Sequence, residues 1–201
     1  MTEIVTEGTG RYEQLGDRAE LHVGFTAVAR TRSDAVRELG ERMSGAEEAF
    51  AQPGLEVRHR RVRVHNEWRG RRVVGCRAGE DVALLVTDVS ALEAVLAALV
   101  AAEPTDLDGP RWVLGDPGAA QREAQERAVA DARTRAEGYA AALGGTLGPL
   151  RRLSEAPEHA APMAYRAAAR ESAGPDVRAL GLEPEPVAVT ARCTTTWIFN
   201  P

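Results

Sequence analysis

The sequence predicts an α+β fold: an antiparallel or mixed sheet with a ferredoxin-like βαββαβ portion, helices on one face, a long alanine-rich helix and a C-terminal hairpin. Three observations predict it. Between residues 17 and 115 the hydrophobic period alternates between two and about 3.6 in the order strand, helix, strand, strand, helix, strand, which is the ferredoxin-like arrangement. From 117 to about 143, alanines recur at strict intervals of four. From 187 to 199, Val187, Val189, Ala191, Cys193, Thr195, Trp197 and Phe199 recur at a period of two on one face.

The elements follow in order. Residues 3–12 alternate and precede the turn-like Leu15-Gly16-Asp17. Leu21, Val23, Phe25 and Ala27 then mark the inward face of a strand. Ser33 is placed to cap a helix whose stripe is Val36, Leu39, Met43, Ala46 and Phe50, and Pro53-Gly54 ends it. Residues 55–65 read as a strand whose phase shifts: Leu55 and Val57 are odd, Val62 and Val64 even, so a bulge is expected. A turn around Trp68-Arg69-Gly70 leads into a long strand, 72–87, with Val74, Cys76, Ala78, Val82, Leu84 and Val86 on one face.

Ser90 and Glu93 form a capping-box pattern ahead of a helix carrying Leu92, Val95, Leu96, Leu99 and Val100. A strand at 106–115 contains Trp112 and Leu114. Asp116-Pro117 is then an N-cap with proline at the first helical position. The helix that follows has Ala124, Ala128, Ala132, Ala136 and Ala140 as its inner ridge and stops at Gly144-Gly145. It is roughly 40 Å long at about 1.5 Å per residue. Strands at 147–155 and 187–199 complete the set. Between them, 156–186 is rich in Ala, Pro and Arg and reads as a mobile excursion, with one helical turn around Ala164–Arg170.

At 201 residues the chain suits one domain, 1–201, burying roughly 70% of its unfolded surface. Aromatics are only 4% of the chain, so small aliphatic side chains must fill the core and the backbones must approach closely. All 25 basic residues are arginine, which reads as codon bias in a GC-rich genome. The formal net charge of −5 does not suit attraction of polyanions, and no nucleic-acid partner is expected. The N-terminus has neither a basic region nor an apolar run, and no stretch reaches the roughly 18–20 apolar residues of a membrane span. The expected address is the cytoplasm. Two cysteines do not make a disulfide scaffold.

No catalytic, cofactor-binding or metal-ligating set stands out, and an enzyme is not the favoured reading. Gly8-Thr9-Gly10 is half a dinucleotide fingerprint with no helix behind it; its glycines are read as permitting a bulge or close backbone approach. Glu155, Glu158 and His159 are interrupted by Pro157 and lack a second histidine. His59 and His65 lie about 20 Å apart at about 3.3 Å per strand residue, too far to share an ion. Cys76 and Cys193 both fall on inward strand faces and read as buried, reduced small hydrophobes.

The most distinctive stretch is 58–77, with eight arginines against one glutamate. Arg61, Arg63 and His65 alternate with Val62 and Val64, as a half-exposed strand requires. With Trp68 and Arg71 they form the candidate anion or partner contact. The solvated-edge reading predicts that Arg61 and Arg63 face carboxylates of the protein.

Gly8-Thr9-Gly10, Asp17 and Ala19 opening a strand, the segment GCRAGEDVALLVTDVSALEAVLAAL at 75–99, and above all EAQERAVADARTRAEGYAAALGGTLGPLRRLSE at 123–155 resemble a SIMPL domain over nearly the whole chain. The resemblance implies an α+β fold, self-association into large assemblies in some members, and links to envelope stress or kinase scaffolding. It carries over no catalytic motif. Many bacterial relatives are exported, whereas this N-terminus shows no export signal. The expected function is therefore a non-enzymatic binding or assembly module, stress-related, that forms a homo-oligomer and takes a protein partner. The alternative is an enzyme or stress-protective protein acting on a small anionic ligand near the 58–77 hairpin.

Overall fold

The computed structural model describes residues 2–155 and 181–201. The expected excursion at 156–186 falls largely outside the described residues, and the helical turn at 164–170 falls wholly outside them. The chain order is β1 (Glu3–Leu15), β2 (Arg18–Ala29), α1 (Arg32–Phe50), β3 (Leu55–Arg69), β4 (Arg72–Val86), a 3₁₀ turn (Val89–Ala91), α2 (Leu92–Ala101), β5 (Asp106–Val113), α3 (Pro117–Ala142), β6 (Thr146–Glu155) and β7 (Pro186–Asn200). The strands form two sheets, β1-β7-β6 and β3-β4-β2-β5, with every neighbouring pair antiparallel. The single sheet assumed from sequence is thus two. The chain divides accordingly into two compact units: residues 2–15, 116–155 and 186–201 form one, and 16–115 with 181–185 form the other.

The second unit is contiguous apart from its last few residues. Its strand order, counted from β2, is second, third, first, fourth, which is ferredoxin-like. The odd residues Ala19, Leu21, Val23, Phe25 and Ala27 of β2 are all buried, together with Cys76, Ala78, Val82, Leu84 and Val86 of β4. Helix α1 covers them with Ala35, Leu39, Met43, Ala46 and Phe50, and the Phe25 and Phe50 rings meet edge to face at 6.5 Å. Helix α2 buries Leu92, Val95, Leu96 and Leu99 and lies beside α1.

Two helix starts differ from the sequence reading. Thr31, not Ser33, caps α1, its hydroxyl accepting the Asp34 N–H at 3.1 Å. Ahead of α2, Asp88 caps the 3₁₀ turn, accepting from both the N–H and the hydroxyl of Ser90, and α2 itself starts after Ala91. In both places the earlier oxygen reaches the free N–H groups first.

The first unit is a three-stranded sheet under one long helix. Asp116 caps α3, accepting from Gly118 N–H at 2.9 Å, with Pro117 at the first position as the sequence predicts. At the far end Gly144 turns left-handed and Gly145 N–H returns to the Ala140 carbonyl at 3.0 Å. Every alanine of the ladder, from Ala120 to Ala140, is at most 1% exposed. The reason lies in the facing strand. A Cβ on Gly8 would sit 2.0 Å from the Ala128 carbonyl oxygen, and one on Gly10 would sit 1.9 Å from that of Ala124. The half-fingerprint is therefore a seat for the helix backbone, as the close-approach reading held.

A hydrogen-bond chain crosses this contact. The Thr6 hydroxyl donates to the Ala132 carbonyl at 2.7 Å and lies 3.0 Å from the Thr195 hydroxyl, which also donates to the Thr6 carbonyl at 3.3 Å. The Trp197 indole in turn donates to the Thr195 oxygen at 2.8 Å. Among the described residues no buried side-chain nitrogen or oxygen lacks a partner. Leaving one of these unpaired would cost about 1–3 kcal/mol.

Candidate functional site

The arginine-rich stretch forms the β3–β4 hairpin, with β3 at the edge of the four-stranded sheet. Strand β3 runs on to Arg69, beyond the expected end at 65, and Gly70-Arg71 make the turn. Trp68 and Arg69 therefore belong to the strand rather than the turn. The register shift between Val57 and His59 is the bulge that the change of phase predicts. The strand is more exposed than an alternating pattern implies. Val62 is 58% exposed, because on this side α1 meets β3 mainly through Arg60.

Arg60 lies on the helix side. It pairs with Glu47 of α1 at 2.6 Å and Glu80 of β4 at 3.0 Å, with its guanidinium 5.2 Å from the Phe50 ring centre. Arg61, Arg63 and His65 share the opposite face. There Arg63 pairs with Asp81, and Arg77 with Glu67 at 2.5 Å. The Arg77 hydrogen bond holds the Glu67 carboxyl below its ordinary pKa, with the nearby His65 at 3.9 Å contributing less. Arg61 has no carboxylate within 4.0 Å among the described residues. The expected counter-charge is thus present for Arg63 and missing among the described residues for Arg61.

Strand β2 ends at Ala29, opposite Cys76, so among the described residues hairpin positions 67–74 have only each other as strand neighbours. This projecting tip carries Trp68 (62% exposed), Val73 and Val74, with Trp68 directly opposite Val73. Arg69, Arg71 and Arg72 are exposed there and have no ion pair among the described residues. The five candidate residues therefore split. Arg61, Arg63 and His65 lie along the sheet; Trp68 and Arg71 lie at the tip.

A second surface escapes sequence reasoning. In the first unit, α3 sits over β1 and β7 and makes few contacts with the edge strand β6. Leu147, Leu150 and Leu153 lie opposite Phe199, Trp197 and Thr195, which places all three on the helix side of β6. Leu150 and Leu153 are 43% and 48% exposed. Two irregularities in the β6 register bring every third residue to one face, so a period-two reading misses the row. The only signal was the spacing of the leucines in LGPLRRL.

The opposite edge of that sheet is closed. On β1 the outward Thr9 N–H donates to Asp131 at 3.0 Å, and Arg127 donates to the Arg11 carbonyl at 2.7 Å while lying over the Tyr12 ring. The Thr9 hydrogen bond, then that of Arg135, lowers the Asp131 pKa. In the other unit, edge strand β5 is interrupted by Gly109-Pro110. A shallow concavity of the first unit is lined by Tyr12, Gln14, Ala119, Arg122, Glu123 and Glu126.

Among the described residues no three His, Cys, Asp or Glu side chains converge on a point; Glu158 and His159 lie outside them. Cys76 and Cys193 are buried, Cys76 donating to the His65 carbonyl and Cys193 having its pKa raised by burial. Among the described residues no helix is long and apolar enough to cross a membrane. The model of one protein family, SIMPL, described as a protein of unknown function (DUF541), matches residues 4–197 and so runs through both units. No curated protein matches the chain.

Proposed function

Because the chain belongs to the SIMPL family, whose description assigns no activity, we propose that it is a non-enzymatic assembly module that binds further copies of itself along edge strand β6. The observation that carries this reading is the row Leu147, Leu150 and Leu153 on one face of β6, of which Leu150 and Leu153 are exposed. An edge strand with one apolar face offers a second chain both backbone partners and a surface to bury. The other edges suit it less: α3 side chains occupy β1, a proline interrupts β5, and arginines line β3. Pro149 removes only one donor and is tolerated on an edge.

Both units act in this reading as one domain, and a stress-related role or a further protein partner rests on the family likeness alone. The alternative, an enzyme or stress-protective protein holding a small anion near Arg61, Arg63 and Arg71, draws less support. Arg63 is already paired with Asp81, and Arg61 and Arg71 are not brought together.

Light scattering tests the proposal. The wild-type protein is expected at a multiple of its 21.5 kDa chain mass. Leu150→Arg with Leu153→Arg should return it to one copy without loss of fold. A wild type that stays at one copy at every concentration refutes the reading.

A further inference from the structure

At the tip of the β3–β4 hairpin, arginines without an ion pair among the described residues coincide with exposed apolar surface. Along the sheet the arginines are mostly consumed: Arg58 by Glu56, Arg60 by Glu47 and Glu80, Arg63 by Asp81, and Arg77 by Glu67. Glu67 is the last carboxylate before the turn, and its engagement with Arg77 leaves it unable to neutralise the tip. Beyond it come Trp68, Arg69, Arg71, Arg72, Val73 and Val74, all exposed and without an acidic residue among them. In a chain of net charge −5, this is a local positive pole on a projecting arm.

From this geometry we infer that the tip docks on the surface of a bilayer carrying anionic lipids. Trp68 supplies a ring suited to the headgroup boundary, apolar in body with one N–H donor. Val73 and Val74 supply aliphatic surface that gains by leaving water. Arg69, Arg71 and Arg72 supply charge that lipid phosphates attract, each weakening binding by roughly fivefold when lost. A nucleic acid would use the arginines and could stack on Trp68, but it would leave both valines wet. The membrane surface satisfies all six side chains. The docking is peripheral and needs no spanning segment, and it does not depend on assembly through β6.

Tryptophan emission reads it directly. Of the three tryptophans, Trp112 and Trp197 are buried, so a change on adding vesicles reports Trp68. Vesicles of phosphatidylcholine containing phosphatidylglycerol should shift the emission to the blue and co-sediment the protein, and vesicles of phosphatidylcholine alone should do neither. Raised salt should release it. Arg71→Glu with Arg72→Glu should weaken binding more than tenfold, and Trp68→Phe should abolish the spectral shift while leaving co-sedimentation largely intact. Both variants lie outside the core, and an unchanged circular dichroism spectrum verifies their fold. Absence of any shift or sedimentation with the anionic vesicles overturns the inference. So does equal binding to both vesicle types, or tighter, salt-sensitive binding of duplex DNA through the same arginines.

Discussion

Replacing Gly8 with alanine would place a methyl carbon 2.0 Å from the Ala128 carbonyl oxygen and 2.7 Å from both the Cβ and the amide nitrogen of Ala132. Two of those three atoms are backbone, and the third is fixed to it, so no side chain can swing aside. Restoring an ordinary separation of about 3.5 Å would require β1 and α3 to part by about 1.5 Å. A gap of that size forfeits much of the contact along Ala124, Ala128 and Ala132, now at most 1% exposed, and stretches the 2.7 Å bond from Thr6. Overpacking usually costs about 1–3 kcal/mol and sometimes more. Backbone on both sides of this contact puts Gly8→Ala at about 3 kcal/mol or above. For a chain of this length that lowers the melting temperature by about 6–12 °C, measured by circular dichroism. Gly138→Ala is the control. It lies on the same helix with nothing within 4 Å of its added Cβ, and it should raise stability by up to about 1 kcal/mol. If Gly8→Ala melts within about 2 °C of wild type, helix and strand are not in the contact described.

Two further outcomes concern the buried thiols and the Asp131 carboxylate. Cys76 and Cys193, 2% and 7% exposed, should alkylate slowly in native protein and rapidly in denaturant; stoichiometric native labelling within minutes at neutral pH contradicts their burial. Asp131 has a folded pKa below its ordinary value, so its contribution is complete above about pH 4 and disappears as pH falls through the folded value. Wild type should therefore exceed Asp131→Ala in stability at neutral pH and converge with it in acid. A gap that persists below about pH 2 shows that the carboxylate is not the cause.

What could be read from the sequence was local and periodic. The alanine ladder, the inward faces of β2, β4 and β7, the bulge in β3 and the Asp116-Pro117 start each declare themselves within a few residues. The close approach at Gly8 and Gly10 was legible as a possibility because small residues on two elements imply contact. The division into two sheets was not legible, since Thr6 meets Thr195 across 189 positions and no local pattern encodes that pairing. The leucine row of β6 was hidden by its own irregular register. The candidate hairpin was found by composition, but composition could not distinguish arginines engaged by Asp81, Glu47 or Glu67 from those left free at the tip.

The placement of β1 and β7 also orders the life of the chain during synthesis. Residues 16–115 hold all four strands and both helices of the ferredoxin-like sheet, so that sheet can close once they have left the ribosome. Strand β1 is made before β2 to β6 but among the described residues pairs only with β7, which follows them all. Until β7 is made, this thirteen-residue strand lacks the partner it has among the described residues. Its glycines and threonines, poor in apolar surface, leave little for an unwanted neighbour to seize while it waits.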